Sequence, residues 1–186
     1  MEDLGTQRFD ALLAGTLAND PEVASEFFRR YHQALARYLA AREPRHADDL
    51  EADVWLAVAA HLDRFEGSEH EFRAWLFTLA RNVVTGHRRK GIRRRTDVAG
   101  PEVFSDRRAA DEPEDAAVEA LATAEAMEAL RRHLTETQAE VVRLRVIAGF
   151  SAAEVAEILG RPETWVRVTQ HRALARLAHR LPERRT

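Results

Sequence analysis

The sequence predicts an all-α protein of two small helical domains joined by a flexible acidic linker, on three observations. Apolar residues recur every three or four positions in several stretches, no stretch alternates apolar with polar as a half-buried strand does, and the recurrence stops over residues 96–118. With 186 residues, 45% of them hydrophobic, the chain can bury one core of ordinary size or two small ones.

The first clear element opens at Asp20-Pro21, an N-cap followed by proline at the first helical position, where the missing N–H costs nothing. Val23, Phe27, Tyr31, Leu35 and Leu39 then recur every four residues, which predicts a helix to about Ala41, broken near Pro44. Leu50, Val54, Val58, Leu62 and Phe65 form a second apolar stripe, with Asp49, Glu51 and Asp53 off it. After a turn around Gly67, Phe72, Trp75, Leu76, Leu79, Ala80 and Val83 mark a third helix. It runs into "HRRKGIRRR", His87 to Arg95, with six Arg or Lys in nine positions.

From Thr96 to about Val118 the chain combines Gly100, Pro101 and Pro113 with Asp106, Asp111, Glu112, Glu114 and Asp115. So few apolar groups cannot offset the entropy of ordering, and the expectation is a linker. Domain limits of 1–95, 96–118 and 119–186 follow. Beyond the linker, Leu121, Met127, Leu130 and Leu134 predict one helix, and Val141, Val142, Leu144 and Ile147 another. "SAAE", Ser151 to Glu154, fits a capping box, in which Ser and Glu satisfy each other's backbone N–H. A short helix starts there and stops at Gly160. A last helix follows, with Trp165, Val166, Leu174 and Leu177 expected inward. Two helices joined by a glycine-containing turn, the second rich in Arg, form the helix-turn-helix used to enter a DNA major groove.

The charge is unevenly placed. Counting Lys and Arg against Asp and Glu, residues 1–85 sum to −6, 86–95 to +6, 96–118 to −5, 119–160 to −3 and 161–186 to +5, within a net −3. Two basic blocks on an acidic body predict two surfaces for a polyanion and little indiscriminate binding. Without cysteine there is no disulfide, thiolate metal site or thiol nucleophile. No HExxH, Gly-rich phosphate loop or nucleophile elbow occurs, so the expectation is no enzyme, no catalytic residues, no metal and no cofactor. No apolar run approaches the roughly 20 residues that span a bilayer, so a cytoplasmic protein without membrane insertion is expected.

Three stretches, in this order, resemble the bacterial RNA polymerase sigma factors of the extracytoplasmic-function type, in the sigma-70 family. "DDLEADVWLAVAAHLDRF", Asp48 to Phe65, is similar to the family's core-polymerase-binding helix. "EFRAWLFTLARNVVTGHRRKGIRRR" resembles its promoter-melting and −10-reading segment. "LTETQAEVVRLRVIAGFSAAEVAEILGRPETWVRVTQHRALARL" resembles its −35-reading domain.

The resemblance implies a sigma factor that directs promoter-specific initiation. Its partners are core RNA polymerase, through the largest and second-largest subunits, promoter DNA, and an anti-sigma factor for which no binding site is legible in the sequence. Asp49, Glu51, Asp53, Trp55 and Leu56 fall on the surface that meets the polymerase clamp, although Ala52 and Ala59 depart from the usual residues. At the −10 element the resemblance places Arg64, Phe65 and Asn82 near the melted strand. Arg88, Arg89, Lys90, Arg93, Arg94 and Arg95 lie along phosphates, where contacts give affinity and register but no direct sequence information. At the −35 duplex it places Arg167, Val168, His171 and Arg172 on the bases, and Arg143 and Arg145 on phosphates. Val168, Thr169 and Gln170 depart from the family pattern, and Trp165 stands for a small threonine. The acidic linker is implied to thread the polymerase cleft and RNA exit channel.

A helix-turn-helix regulator that is not a polymerase subunit is the alternative reading, and "FRAWLFTLARN" argues against it.

Overall fold

The computed structural model describes the backbone of residues 2–97 and 126–179, and the side chains of residues 7–90 and 126–179. Of the expected linker, Thr96 and Asp97 belong instead to the end of a helix, and residues 98–118, with helix positions before residue 126, lie outside the described residues.

The first helix, α1 (Glu2–Leu17), is not among those the periodicity predicted. Its signal is short: Phe9 and Leu12 are buried three positions apart, with Leu13 packed beside them. The chain turns through Asn19, in the left-handed region at φ 59°, a conformation that asparagine tolerates better than most residues. α2 (Pro21–Arg42) begins as expected, Asp20 accepting from the backbone N–H groups of Glu22 at 3.0 Å and Val23 at 3.2 Å. Such a cap contributes about 1 kcal/mol. α3 (Ala47–His61) continues into a 3₁₀ turn, Leu62–Arg64. α4 (Glu69–Asp97) starts at Ser68, whose N–H donates to the Glu71 carboxylate at 2.7 Å. These four helices close on an aromatic centre. Phe72, fully buried, lies 5.0 Å from Phe27, 4.9 Å from Tyr31 and 5.7 Å from Phe9, ring centre to ring centre.

The C-terminal unit comprises α5 (126–133), α6 (Glu136–Val142), α7 (Ala152–Leu159) and α8 (Glu163–Ala178). α6 widens at its end into a π-helical turn, Arg143–Ile147, whose closing bond runs from the Ala148 N–H to the Arg143 carbonyl at 2.9 Å. The capping box at α7 forms as predicted: Ser151 N–H donates to Glu154 at 2.6 Å, and Glu154 N–H to Ser151 Oγ at 3.2 Å. Gly160, at φ 60° and ψ 43°, ends α7 in the left-handed conformation that glycine adopts without strain. Leu130, Leu134, Ala139, Val142 and Ala173 fill a small core of their own, with Leu177 against it. The expectation that Leu174 faces inward is corrected: it is 42% exposed, because the line Val166, Ala173, Leu177 takes the buried face of α8.

The two units pack on each other. Phe77 of α4 meets Phe150 edge-on at 4.6 Å, and the Arg73 guanidinium lies over the same Phe150 ring at 4.6 Å. Beneath them sits the carboxylate of Glu140 in α6, almost fully buried. It accepts from Tyr38 Oη at 2.7 Å, Arg42 at 2.8 Å and Arg81 at 3.1 Å, with Arg143 at 3.5 Å. Burial, then the nearby carboxylate, pushes the Tyr38 phenol far above its ordinary value, so it stays a donor.

Removing Glu140 would leave buried cations without their anion, a loss of about 3–5 kcal/mol for a pair of this kind. Glu140→Ala should therefore lower the urea midpoint and enlarge the radius of gyration by small-angle scattering as the units part. An unchanged radius would show that the apolar contacts suffice.

Candidate nucleic-acid and partner interfaces

The outer face of α3 is acidic and apolar together. Asp48, Asp49 and Asp53 are exposed there, and Leu56, at 69%, is the most exposed large hydrophobic side chain among the described residues. Trp55 has an intrachain role that the sequence does not reveal. Its ring packs 4.8 Å from Phe28, and its indole N–H donates to Glu51 at 3.2 Å. Glu51 also pairs with His32 Nδ1 at 2.5 Å, while His32 stacks on Phe28 at 4.9 Å. Glu51 is thus turned inward at 12% side-chain exposure. Asp49, Asp53 and Leu56 face outward, whereas Glu51 holds Trp55 in place.

On α4 the buried line Leu76, Ala80 and Val84 directs Asn82 and Arg89 to the opposite side, seven positions or two turns apart. Lys90 is exposed beside Arg89. Arg88 is instead engaged, by Glu43, which caps the end of α2, and by Glu136 of α6 at 3.1 Å. The α4 backbone continues through Arg93, Arg94 and Arg95, whose side chains lie outside the described residues. Arg64 is exposed at the 3₁₀ turn. Phe65 next to it sits half-buried against Phe72 at 5.5 Å and Trp75 at 5.4 Å.

α7 and α8, joined at Gly160, form the helix-turn-helix. On α8, Arg167, Val168, His171 and Arg172 are all exposed. Arg167 Nε donates to Glu163 one turn earlier at 2.9 Å. Trp165 folds back to the core with the Arg161 guanidinium 5.5 Å above its ring. Gln170 is held from behind by Arg145 Nε at 2.9 Å, and Arg145 also donates to the Phe150 carbonyl.

Two expectations change here. Arg143, expected at a DNA phosphate, is 1% exposed and paired with Glu136 at 3.3 Å as well as Glu140. Its N–H still bonds the Ala139 carbonyl, and it follows Glu140 by three positions and Glu136 by seven, so the register of α6 turns it to the face that carries both and it offers no charge to solvent. Arg145 is half-buried and shapes the start of the helix-turn-helix. Reasoning from sequence missed Arg73, Arg81, Tyr38 and Arg42, since their partners lie 59 to 102 positions away, apart from the local Arg42–Tyr38 contact. No local periodicity carries such pairings. Among the described residues no three His, Asp or Glu side chains gather where they could hold a metal ion.

The chain matches the family models for Sigma-70 region 2 over residues 27–95 and Sigma-70 region 4 over residues 124–177. It is 31% identical to the ECF RNA polymerase sigma factor BldN of Streptomyces coelicolor, over 97% of this chain and 69% of that protein. It is 34% identical to SigD of Mycobacterium tuberculosis over 92% and 82%, and 31% identical to ShbA of Streptomyces griseus over 95% and 97%. Among solved structures, RpoE of Bartonella quintana, determined with the anti-sigma factor NepR, superposes with a TM-score of 0.65. The identity is 26%, over 87% of this chain and 98% of that one. CnrH, determined with the cytosolic domain of CnrY, shares the fold at a TM-score of 0.64 and 24% identity, over 91% and 94%.

The contacts between the units carry a pH dependence. Burial raises the Glu136 carboxyl, but Arg143 and Arg88 outweigh it and hold the group below its ordinary value. Burial likewise raises Glu154, and its bonds from Ser151, then Arg73, bring it below. A carboxyl lowered in the folded state stabilises fully above its unfolded value and loses that contribution as pH falls through the folded one. Glu69, bonded by Arg30 and by Tyr31 of the aromatic centre, is held low as well, so acidification below the usual carboxylate range should loosen the contacts between the units and this one together. Scattering and near-ultraviolet circular dichroism, followed together down the titration, would test whether the two changes coincide.

Proposed function

Because this chain belongs to the sigma-70 family of RNA polymerase sigma factors, in its extracytoplasmic-function type, we propose that α3 binds core polymerase while α4 and α8 read promoter DNA. The observation that carries the reading is the placement of the free side chains. The acidic and apolar face of α3, the Asn82–Arg89 side of α4 and the arginine-bearing face of α8 all stay outside the two cores.

In this reading residues 1–95 bind polymerase and the −10 element, 96–118 form the linker through the polymerase cleft, and 119–186 bind the −35 duplex. Asp49, Asp53 and Leu56 meet basic and apolar groups of the largest subunit's clamp, with Trp55 fixed behind them by Glu51. Arg89 and Lys90 neutralise phosphates upstream of the melted bases, and Asn82 and Phe65 border the strand that separates. Arg88 joins them once phosphate replaces Glu136, which requires the C-terminal unit to move off α4. An anti-sigma factor is a further partner, a proposal supported by the Bartonella relative solved with one. The work is cytoplasmic, and among the described residues no helix is long and apolar enough to cross a membrane.

Run-off transcription with purified core polymerase tests the whole: added chain should yield starts at discrete promoters, and uniform background starts would refute the reading. Asp53→Ala with Leu56→Ala should reduce co-purification with core while circular dichroism stays unchanged. Arg89→Gln with Lys90→Gln should weaken holoenzyme binding to all promoters alike and lower the slope of affinity against salt by about two phosphate contacts. A loss confined to particular promoter sequences would contradict that role.

A further inference from the structure

The base-facing set on α8 is smaller than its polar composition implies. Thr169 and Gln170 are half-buried, and Gln170 spends its side-chain oxygen on Arg145 at 2.9 Å, so this glutamine is not free to pair an adenine edge. Opposite the buried line Val166, Ala173 and Leu177 runs an exposed line, Thr164, Val168, His171 and Ala175. Arg167 and Arg172 flank it, one on each side, at helical offsets of about 100° from neighbouring residues. Val168, 48% exposed, therefore stands in the middle of the helix face, between two cations suited to opposite walls of a groove.

A valine in that place has no donor and no acceptor. Nearly every feature of a base edge in the major groove is polar: guanine N7 and O6, cytosine N4, adenine N7 and N6, thymine O4. Pressing an isopropyl group on any of these removes water and returns no hydrogen bond. The thymine C5 methyl is the one methyl in the groove, where cytosine shows only a C5 hydrogen, and contact with it gains by burial on both sides. We propose that Val168 is a specificity-determining residue of this chain, selecting a thymine in the −35 element through its methyl group. The inference rests on the −35 reading given above.

Holoenzyme assembled from the full chain and core polymerase first selects duplexes from a pool randomised over the −35 region. Each thymine fixed by the selection is then replaced by uracil, which removes the methyl and leaves the Watson–Crick edge untouched. At one position uracil should weaken binding about fourfold, the effect of returning one methyl-sized group to water. Val168→Ser should bind the thymine and uracil duplexes equally, and Val168→Thr, which keeps a methyl, should restore part of the difference. Both variants change an exposed position, and the helical circular dichroism of each reports whether the fold is retained. Equal binding of the two duplexes by the unaltered chain overturns the proposal, as does a thymine preference that survives Val168→Ser. A holoenzyme that transcribes but selects no −35 sequence overturns the −35 reading itself, and Val168 with it.

Discussion

A single carboxylate, Glu140, sets where much of the described structure lies. It sits where α2, α4 and α6 converge, with a phenol and three guanidiniums around it. The guanidiniums of Arg42 and Arg143 could not be buried at that junction without an anion, because desolvating each charge costs more than the apolar contact of its stem returns. Once Glu140 is in place, Arg81 can reach past it to the Ile158 carbonyl at 2.7 Å and tie α4 to the end of α7. The position of the helix-turn-helix on the N-terminal unit follows from this ion cluster together with the Phe77–Phe150 contact. The cluster is incompletely satisfied: the Nε atoms of Arg42 and Arg143 are buried without a hydrogen-bond partner among the described residues. A network short of two bonds is less favourable than a full one. That leaves the packing of the units weaker than the burial alone implies.

Burial divides the arginines into two populations that the sequence does not distinguish. Arg42, Arg81, Arg143 and Arg145 are committed to internal partners, whereas Arg64, Arg89, Arg167 and Arg172 remain at the surface. Arg88 belongs to both, since its partners are Glu43 of its own unit and Glu136 of the other. An exposed pair such as Arg88–Glu136 contributes little, about 0–1 kcal/mol, so a phosphate can replace the glutamate at small cost. Replacing Glu140 around Arg42 is a different matter, because that site is sealed from solvent. Basic charge in a composition therefore overstates what a polyanion can reach.

What was legible in the sequence was local chemistry. The Asp20 cap, the Ser151–Glu154 box and the Gly160 stop each depend on residues within four positions, and each forms as expected. The exposure of several candidate residues was legible for a similar reason, since helical periodicity keeps Asp53, Leu56, Asn82 and Val168 off the buried lines. α1 escaped because its few apolar positions supply too short a repeat to stand out. Arg143 departs from its expected place because it falls, three positions after Glu140 and seven after Glu136, where the chain packs against α2, a tertiary contact that no local pattern announces. Leu174 was misread because Ala173, small and fully buried, takes the inward place where α8 meets the C-terminal core, a choice made by packing rather than hydrophobicity.

The roles of Glu51 and Gln170 follow one pattern. Each is a polar residue on a helix expected to meet a partner, and each is turned back by a group on another element, Glu51 by His32 and Gln170 by Arg145. A side chain held in this way cannot adapt to a ligand, but it fixes its neighbours: Trp55 beside Glu51, and the roll of α8 about its axis beside Gln170. Preorganisation lowers the entropy lost on binding, since fewer rotamers remain to be frozen at the interface. It also narrows what can be recognised. With Gln170 withdrawn, the middle of α8 offers two arginines, a histidine and a valine, and the valine is the member that a hydrogen-bonding edge does not suit. Discrimination at its position then comes from the cost of the wrong contact as much as from the gain of the right one.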